Sequence, residues 1–114
     1  MKDQAFSKDE RLLRRPQFRQ VLDHGRKLRV DRYCLLFFLP NGTNQKRLGI
    51  IASKKVGNAV ARNRAKRIIR EVFRRNKERF QDGMDVVVVS GKPLPRIPMP
   101  ELEQALLSCL PRQA

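Results

Sequence analysis

Nine of the chain's 26 basic side chains lie between Asn58 and Phe80: Arg62, Arg64, Lys66, Arg67, Arg70, Arg74, Arg75, Lys77 and Arg79. An α-helix advances about 100° per residue. With Ala61 as origin, Ala65, Ile68, Ile69, Val72 and Asn76 fall at roughly −20° to +80°, and Phe73 near +120°, forming an apolar stripe. Asn63, Lys66, Arg67, Arg70, Arg74 and Lys77 fall at roughly 140° to 240° on the other side. Arg62, Arg64 and Arg75 flank the stripe, and Glu71 is the main acidic interruption. Arg62, Lys66, Arg70 and Arg74 repeat at i, i+4, where like charges repel. Helix stability does not account for such a row. A polyanion does, because the guanidinium fork donates two parallel hydrogen bonds to a phosphate. A solvated face would mix its signs, so binding to nucleic acid is preferred over a bland charged surface.

Bond-breaking chemistry is harder to find. His24 is the sole histidine and sits beside an expected helix end, which suits a surface or capping role. Cys34 and Cys109 have no metal or redox spacing, so two buried thiols in a reducing compartment are expected. No C-x-x-C, H-E-x-x-H or P-loop occurs, and the carboxylates are dispersed. No catalytic residue and no metal ligand is assigned. Aromatic side chains stack on unpaired bases in many RNA-binding sites. Phe6, Phe18, Tyr33, Phe37, Phe38, Phe73 and Phe80 are the seven available. Phe73 and Phe80 belong to the core stripe. Strand alternation sends Phe37 and Phe38 to opposite faces. Core packing and base stacking both remain open for one of them, with core packing ahead.

The elements that must position these groups are legible from period and punctuation. The 114 residues carry a net charge of +15 and are 40% hydrophobic, which suits one domain with a modest core. Residues 1–45 hold ten basic and five acidic side chains, 46–80 thirteen and two, and 81–114 three and four. The middle third therefore carries the electrostatics. Residues 1–15 read as a basic arm anchored by Leu12–Leu13. Pro16 opens a helix with Phe18, Val21 and Leu22 on one face, closed by Gly25 as C-cap. Arg32–Leu39 has strand character, Pro40–Asn44 is a turn cluster, and Arg47–Ala52 reads as the hairpin partner. A short extra strand fits near Arg26–Val30. The basic helix follows over about Asn58–Phe80. Val86–Val89 suit a strand buried on both faces. Gly91–Pro100 reads as irregular, and Glu101–Leu110 as a closing helix. The expected class is α+β, an α/β sandwich with helices against a sheet. No apolar run approaches a membrane span, and Met1-Lys2-Asp3-Gln4 opens no signal region, so a cytoplasmic protein is expected.

The string from Lys54 to Glu71, KKVGNAVARNRAKRIIRE, with its Arg62-Asn63-Arg64 centre, resembles the signature of the bacterial ribonuclease P protein subunit. Arg11-Leu12-Leu13, Phe18 with Val21, His24-Gly25, the expected hairpin and the valine strand after Asp85 fit the same family over about residues 8–110. The resemblance implies a single domain over 1–114 of the ribosomal protein S5 domain 2 type. It also implies a four-stranded sheet and a left-handed βαβ crossover, against the usual hand. It implies an accessory subunit that binds a catalytic RNA and the 5′ leader of precursor tRNA, 1:1 with that RNA. The RNA, with Mg²⁺ that it mainly holds itself, removes the leader, and no metal is bound by the protein. Arg62, Asn63, Arg64, Lys66, Arg67, Arg70 and Arg74 would dock on the catalytic RNA. Phe18, Leu22 and Phe37, with Lys54 and Lys55 nearby, would line the leader cleft. Family members often carry an aromatic where this chain has Leu22, so apolar packing rather than stacking is expected there. The competing readings are a ribosomal protein or RNA chaperone, which would bind many RNAs alike, and a stand-alone nuclease, for which no site is seen.

Overall fold

Pro16 sits in the first turn of helix α1 (Arg15–His24), where a missing N–H costs nothing. The computed structural model describes residues 14–110. The arm expected over 1–15, with Leu12–Leu13, lies outside them except for its last two residues: Arg14 is the N-cap of α1 and Arg15 its first residue. The backbone N–H of Arg14 donates to Oε1 of Gln17 at 2.7 Å. Gly25 ends α1 as expected, but not in the left-handed conformation, since its φ is −76°. It is glycine because a Cβ there would lie 2.3 Å from the Val21 carbonyl oxygen and 2.9 Å from that of Phe38.

Strand β1 (Arg26–Val30) turns tightly into β2 (Cys34–Pro40), with Asp31 at φ +50° accepting the Arg32 N–H at 2.8 Å. Then come β3 (Arg47–Ile51), helix α2 (Ala59–Arg75), β4 (Met84–Ser90) and helix α3 (Met99–Cys109). Single 3₁₀ turns occupy Lys77–Arg79 and Leu94–Arg96. The second of these falls in the stretch expected to be irregular.

The strand order is β1-β2-β4-β3, with β3 and β4 parallel and the other pairs antiparallel. This corrects the expected hairpin of the 32–39 and 47–52 runs. Those strands do not pair; β4 lies between them, and the hairpin is β1–β2. The reason is the valine run. A strand with no polar face must have both faces covered, and β4 has α2 and α3 over one face and α1 over the other. The Pro40–Asn44 cluster clasps the start of β4 instead of making a hairpin turn. The Asn41 N–H donates to the Gly83 carbonyl at 2.8 Å, and its Nδ2 donates to Oδ1 of Asp85 at 2.9 Å. Asp85, 4% exposed, also takes Nε of Arg47 at 2.7 Å and Nη2 at 3.0 Å, across the register pair Arg47↔Asp85. The ion pair thus pins the parallel register of β3 and β4.

Alternation gives the sheet two unlike faces. Leu28, Val30, Leu36, Phe38, Leu48, Ile50, Val86 and Val88 meet α2 and α3 in the main core, with Ile69, Val72, Phe73, Leu102 and Leu106. The Phe73 and Phe80 rings stack there at 4.5 Å between centroids. Among the described residues the other face is covered by α1 alone. Val21 and Val87 are fully buried there, with Phe18, Leu22, Phe37, Leu39, Ile51 and Val89 packed around them.

Candidate nucleic-acid interface

Helix α2 starts where Asn58 can cap it, its Oδ1 accepting the Ala61 N–H at 3.0 Å. Ala65, Ile69, Val72 and Phe73 are buried, which fixes the helix's rotation about its axis. Asn63, Arg64, Arg67 and Arg70 are thereby exposed, with Arg62 and Lys66 half-buried along the border. Among the described residues none of these five cations pairs with a carboxylate. Arg74, expected on the same face, is engaged differently. Its Nε donates to Oε1 of Glu71 at 3.0 Å, and its Nη2 to Oε2. That contact holds the Glu71 carboxyl below the usual carboxylate range. Arg75 leans toward α3, with Nε 3.7 Å from Oε2 of Glu103. The carbonyl of Lys77 accepts from Nζ of Lys46 at 2.8 Å. The exposed cationic field is therefore concentrated on the first three turns of α2.

The expected cleft residues divide into two groups. Phe18, Leu22 and Phe37 come together between α1 and the sheet. Phe37 is half-buried there, whereas Phe38 faces the main core, its ring 6.4 Å from that of Phe80. Lys54 and Lys55 are exposed in the loop that leaves β3 after Ile51 and is anchored by buried Val56. Ile51 is in register with Val89, so this loop stands at the end of the sheet where β4 finishes.

Lys27, Arg29 and Arg32 were not singled out by the sequence reading. Lys27 and Arg29 point to the α1 side of the sheet, opposite Phe37 and Leu35. With Arg32 they rim a depression of about 340 Å³ whose apolar lining includes Leu35 and Val89. The signal was present: in Arg26–Val30, Leu28 and Val30 alternate with Lys27 and Arg29, one apolar and one cationic edge.

The family model for ribonuclease P matches residues 6–113. The ribonuclease P protein component of Citrifermentans bemidjiense is 45% identical over 92 residues, covering 81% of this chain and 78% of the relative. That of Thermotoga sp. (strain RQ2) is 36% identical over 113 residues, covering 96% of each. The solved ribonuclease P protein from Thermotoga maritima superposes with a TM-score of 0.78 at 37% identity, covering 89% of this chain and 94% of that one.

Proposed function

The chain belongs to the ribonuclease P protein family, and from that premise we infer how its surfaces divide the work. It is the protein component of ribonuclease P, the endoribonuclease holoenzyme of tRNA 5′ maturation. Its partners are the ribonuclease P RNA and the tRNA substrate.

In the proposed division, α2 docks on the catalytic RNA through Arg62, Asn63, Arg64, Lys66, Arg67 and Arg70, with Arg74 at the edge of the contact. The observation that carries this is that Arg62, Arg64, Lys66, Arg67 and Arg70 have no carboxylate partner among the described residues, opposite the buried Ala65, Ile69, Val72 and Phe73. Neutralised phosphates release counterions, so affinity rises steeply as salt falls. The groove of Phe18, Leu22 and Phe37, with Lys54 and Lys55 at its end, takes the single-stranded leader. A product that has lost its leader forgoes those contacts, so precursor is bound in preference to mature tRNA. The protein is a single RNA-binding domain, 1:1 with the RNA, and works in the cytoplasm. Among the described residues no helix is long and apolar enough to cross a membrane.

Mg²⁺ is assigned to the RNA. Among the described residues no three His, Cys, Asp or Glu side chains gather into one cluster. The protein cations would instead lower the Mg²⁺ that the complex needs, by screening RNA against RNA. The test is leader removal by the cognate RNA at low Mg²⁺, with and without the protein. Enhanced cleavage is expected; equal rates would reject the reading.

A further inference from the structure

The groove does not stop at the residues named for it. Phe37 and Leu35 lie two apart on β2 and share a face, as do Val87 and Val89 on β4. The apolar floor under α1 therefore runs on, past the helix, into the depression rimmed by Lys27, Arg29 and Arg32. At about 340 Å³ the depression is at the small end of ligand sites, which run from roughly 300 to 1,000 Å³.

All three rim cations are exposed, and among the described residues none makes an ion pair. Among the described residues Asp31 is the one acidic side chain lining the depression, and its Oδ1 accepts the Arg32 N–H. Nε of Arg29 donates to the Asp31 carbonyl oxygen at 3.0 Å. That bond orients the guanidinium from behind and leaves both terminal nitrogens for an incoming acceptor. Oriented guanidinium donors above an apolar floor suit a phosphodiester on the rim and a base or ribose below. The floor has no aromatic ring and few polar groups to read a base edge, so the contact is indifferent to sequence.

We propose that Lys27, Arg29 and Arg32 form a second leader subsite, which holds single-stranded RNA beyond the nucleotides in the Phe18–Phe37 groove. The proposal rests on the leader reading above and extends it. It makes leader length, not leader sequence, the variable this part of the protein senses.

The experiment uses full-length protein assembled with the catalytic RNA, and precursor tRNAs whose leaders lengthen one nucleotide at a time. Wild-type affinity should rise with length to a plateau. The Arg29→Ala/Arg32→Ala variant should reach its plateau at a shorter leader and bind the longest precursor roughly ten-fold more weakly. It should match wild type on the shortest leader and on the catalytic RNA alone. Lys27→Ala, at a side chain that makes no hydrogen bond among the described residues, repeats the test should the double variant fold poorly. The proposal is overturned by an unshifted plateau, by an equal loss at every length, by weaker binding to the catalytic RNA itself, or by a wild type insensitive to length. Failure of the leader reading itself looks different, because the wild-type protein would then bind every precursor, whatever its leader, no more tightly than mature tRNA.

Discussion

Replacing Arg70 by alanine separates docking from folding. Arg70 lies midway along α2, exposed, with Arg67 one turn before it and Arg74 one turn after. It has no carboxylate partner among the described residues, so its removal orphans nothing. It also relieves two like-charge i, i+4 pairs, with Lys66 and with Arg74, each worth about 0.2–0.5 kcal/mol in an isolated helix. Alanine is at least as good a helix former as arginine. Folding stability should therefore stay level or rise by up to ~1 kcal/mol, which in a domain of this size lifts Tm by a few degrees. Binding to the catalytic RNA should move the other way, weakening by about 1–2 kcal/mol. The plot of log K against log salt should flatten by about 0.9, the loss of one phosphate contact. Titrating labelled RNA at several salt concentrations, alongside thermal melts of the free protein, reads all three quantities. An unchanged salt slope would refute the docking face. A falling Tm would refute the account of Arg70 as structurally unrewarded.

Three further perturbations test other layers. Phe37→Ala should weaken precursor binding more than binding of mature tRNA; equal losses would make Phe37 a packing residue alone. Asp85→Ala should lower unfolding free energy by about 3–5 kcal/mol in urea, because it leaves the Arg47 guanidinium half-buried without its carboxylate; a loss below ~1 kcal/mol, typical of an exposed pair, would contradict the burial argument. Burial pushes the Cys34 thiol up to about 12 from its ordinary 9.0, so above pH 9 the unfolded chain gives up this proton first. The stability this thiol contributes is fully present below that pH and is lost as pH climbs toward 12, at up to about 1.4 kcal/mol per pH unit. Denaturant midpoints between about pH 8 and 11 should fall less steeply for Cys34→Val, and an identical fall in both proteins would show that Cys34 does not contribute.

What could be read in advance depended on whether the deciding interaction was local. The rotation of α2 was legible because its 3.6-residue period and its burial depend on the same side chains. Ala65, Ile69, Val72 and Phe73 face inward wherever in the fold the helix is placed. The pairing of β2 and β3 was misread because Pro40–Asn44 has the composition of a hairpin turn. What actually uses those residues is Gly83 and Asp85, more than forty positions away. Gly25 is a mixed case: a capping rule placed the helix end correctly, and a side chain there is forbidden both by the local Val21 carbonyl and by the Phe38 carbonyl from a neighbouring strand. Lys27 and Arg29 were overlooked because five residues give alternation little weight against a background of scattered arginines.

The uneven distribution of charge along the chain follows from the order of the layers. β4 is one of the two interior strands and has a covered face on either side, Val86 and Val88 toward α2, Val87 and Val89 toward α1. A strand in that place can hold an ion only if a partner comes with it, and Asp85 does so with Arg47. Helix α3 spends Leu102 and Leu106 on the same core. The last third is therefore nearly neutral, because it fills the middle of the molecule. α2 and the β1 rim lie outside it, on opposite sides of the sheet. The loop carrying Lys54 and Lys55 joins those sides, leaving the end of β3 and running into the cap of α2. RNA that passed around that end of the sheet to engage both surfaces would meet two exposed lysines there.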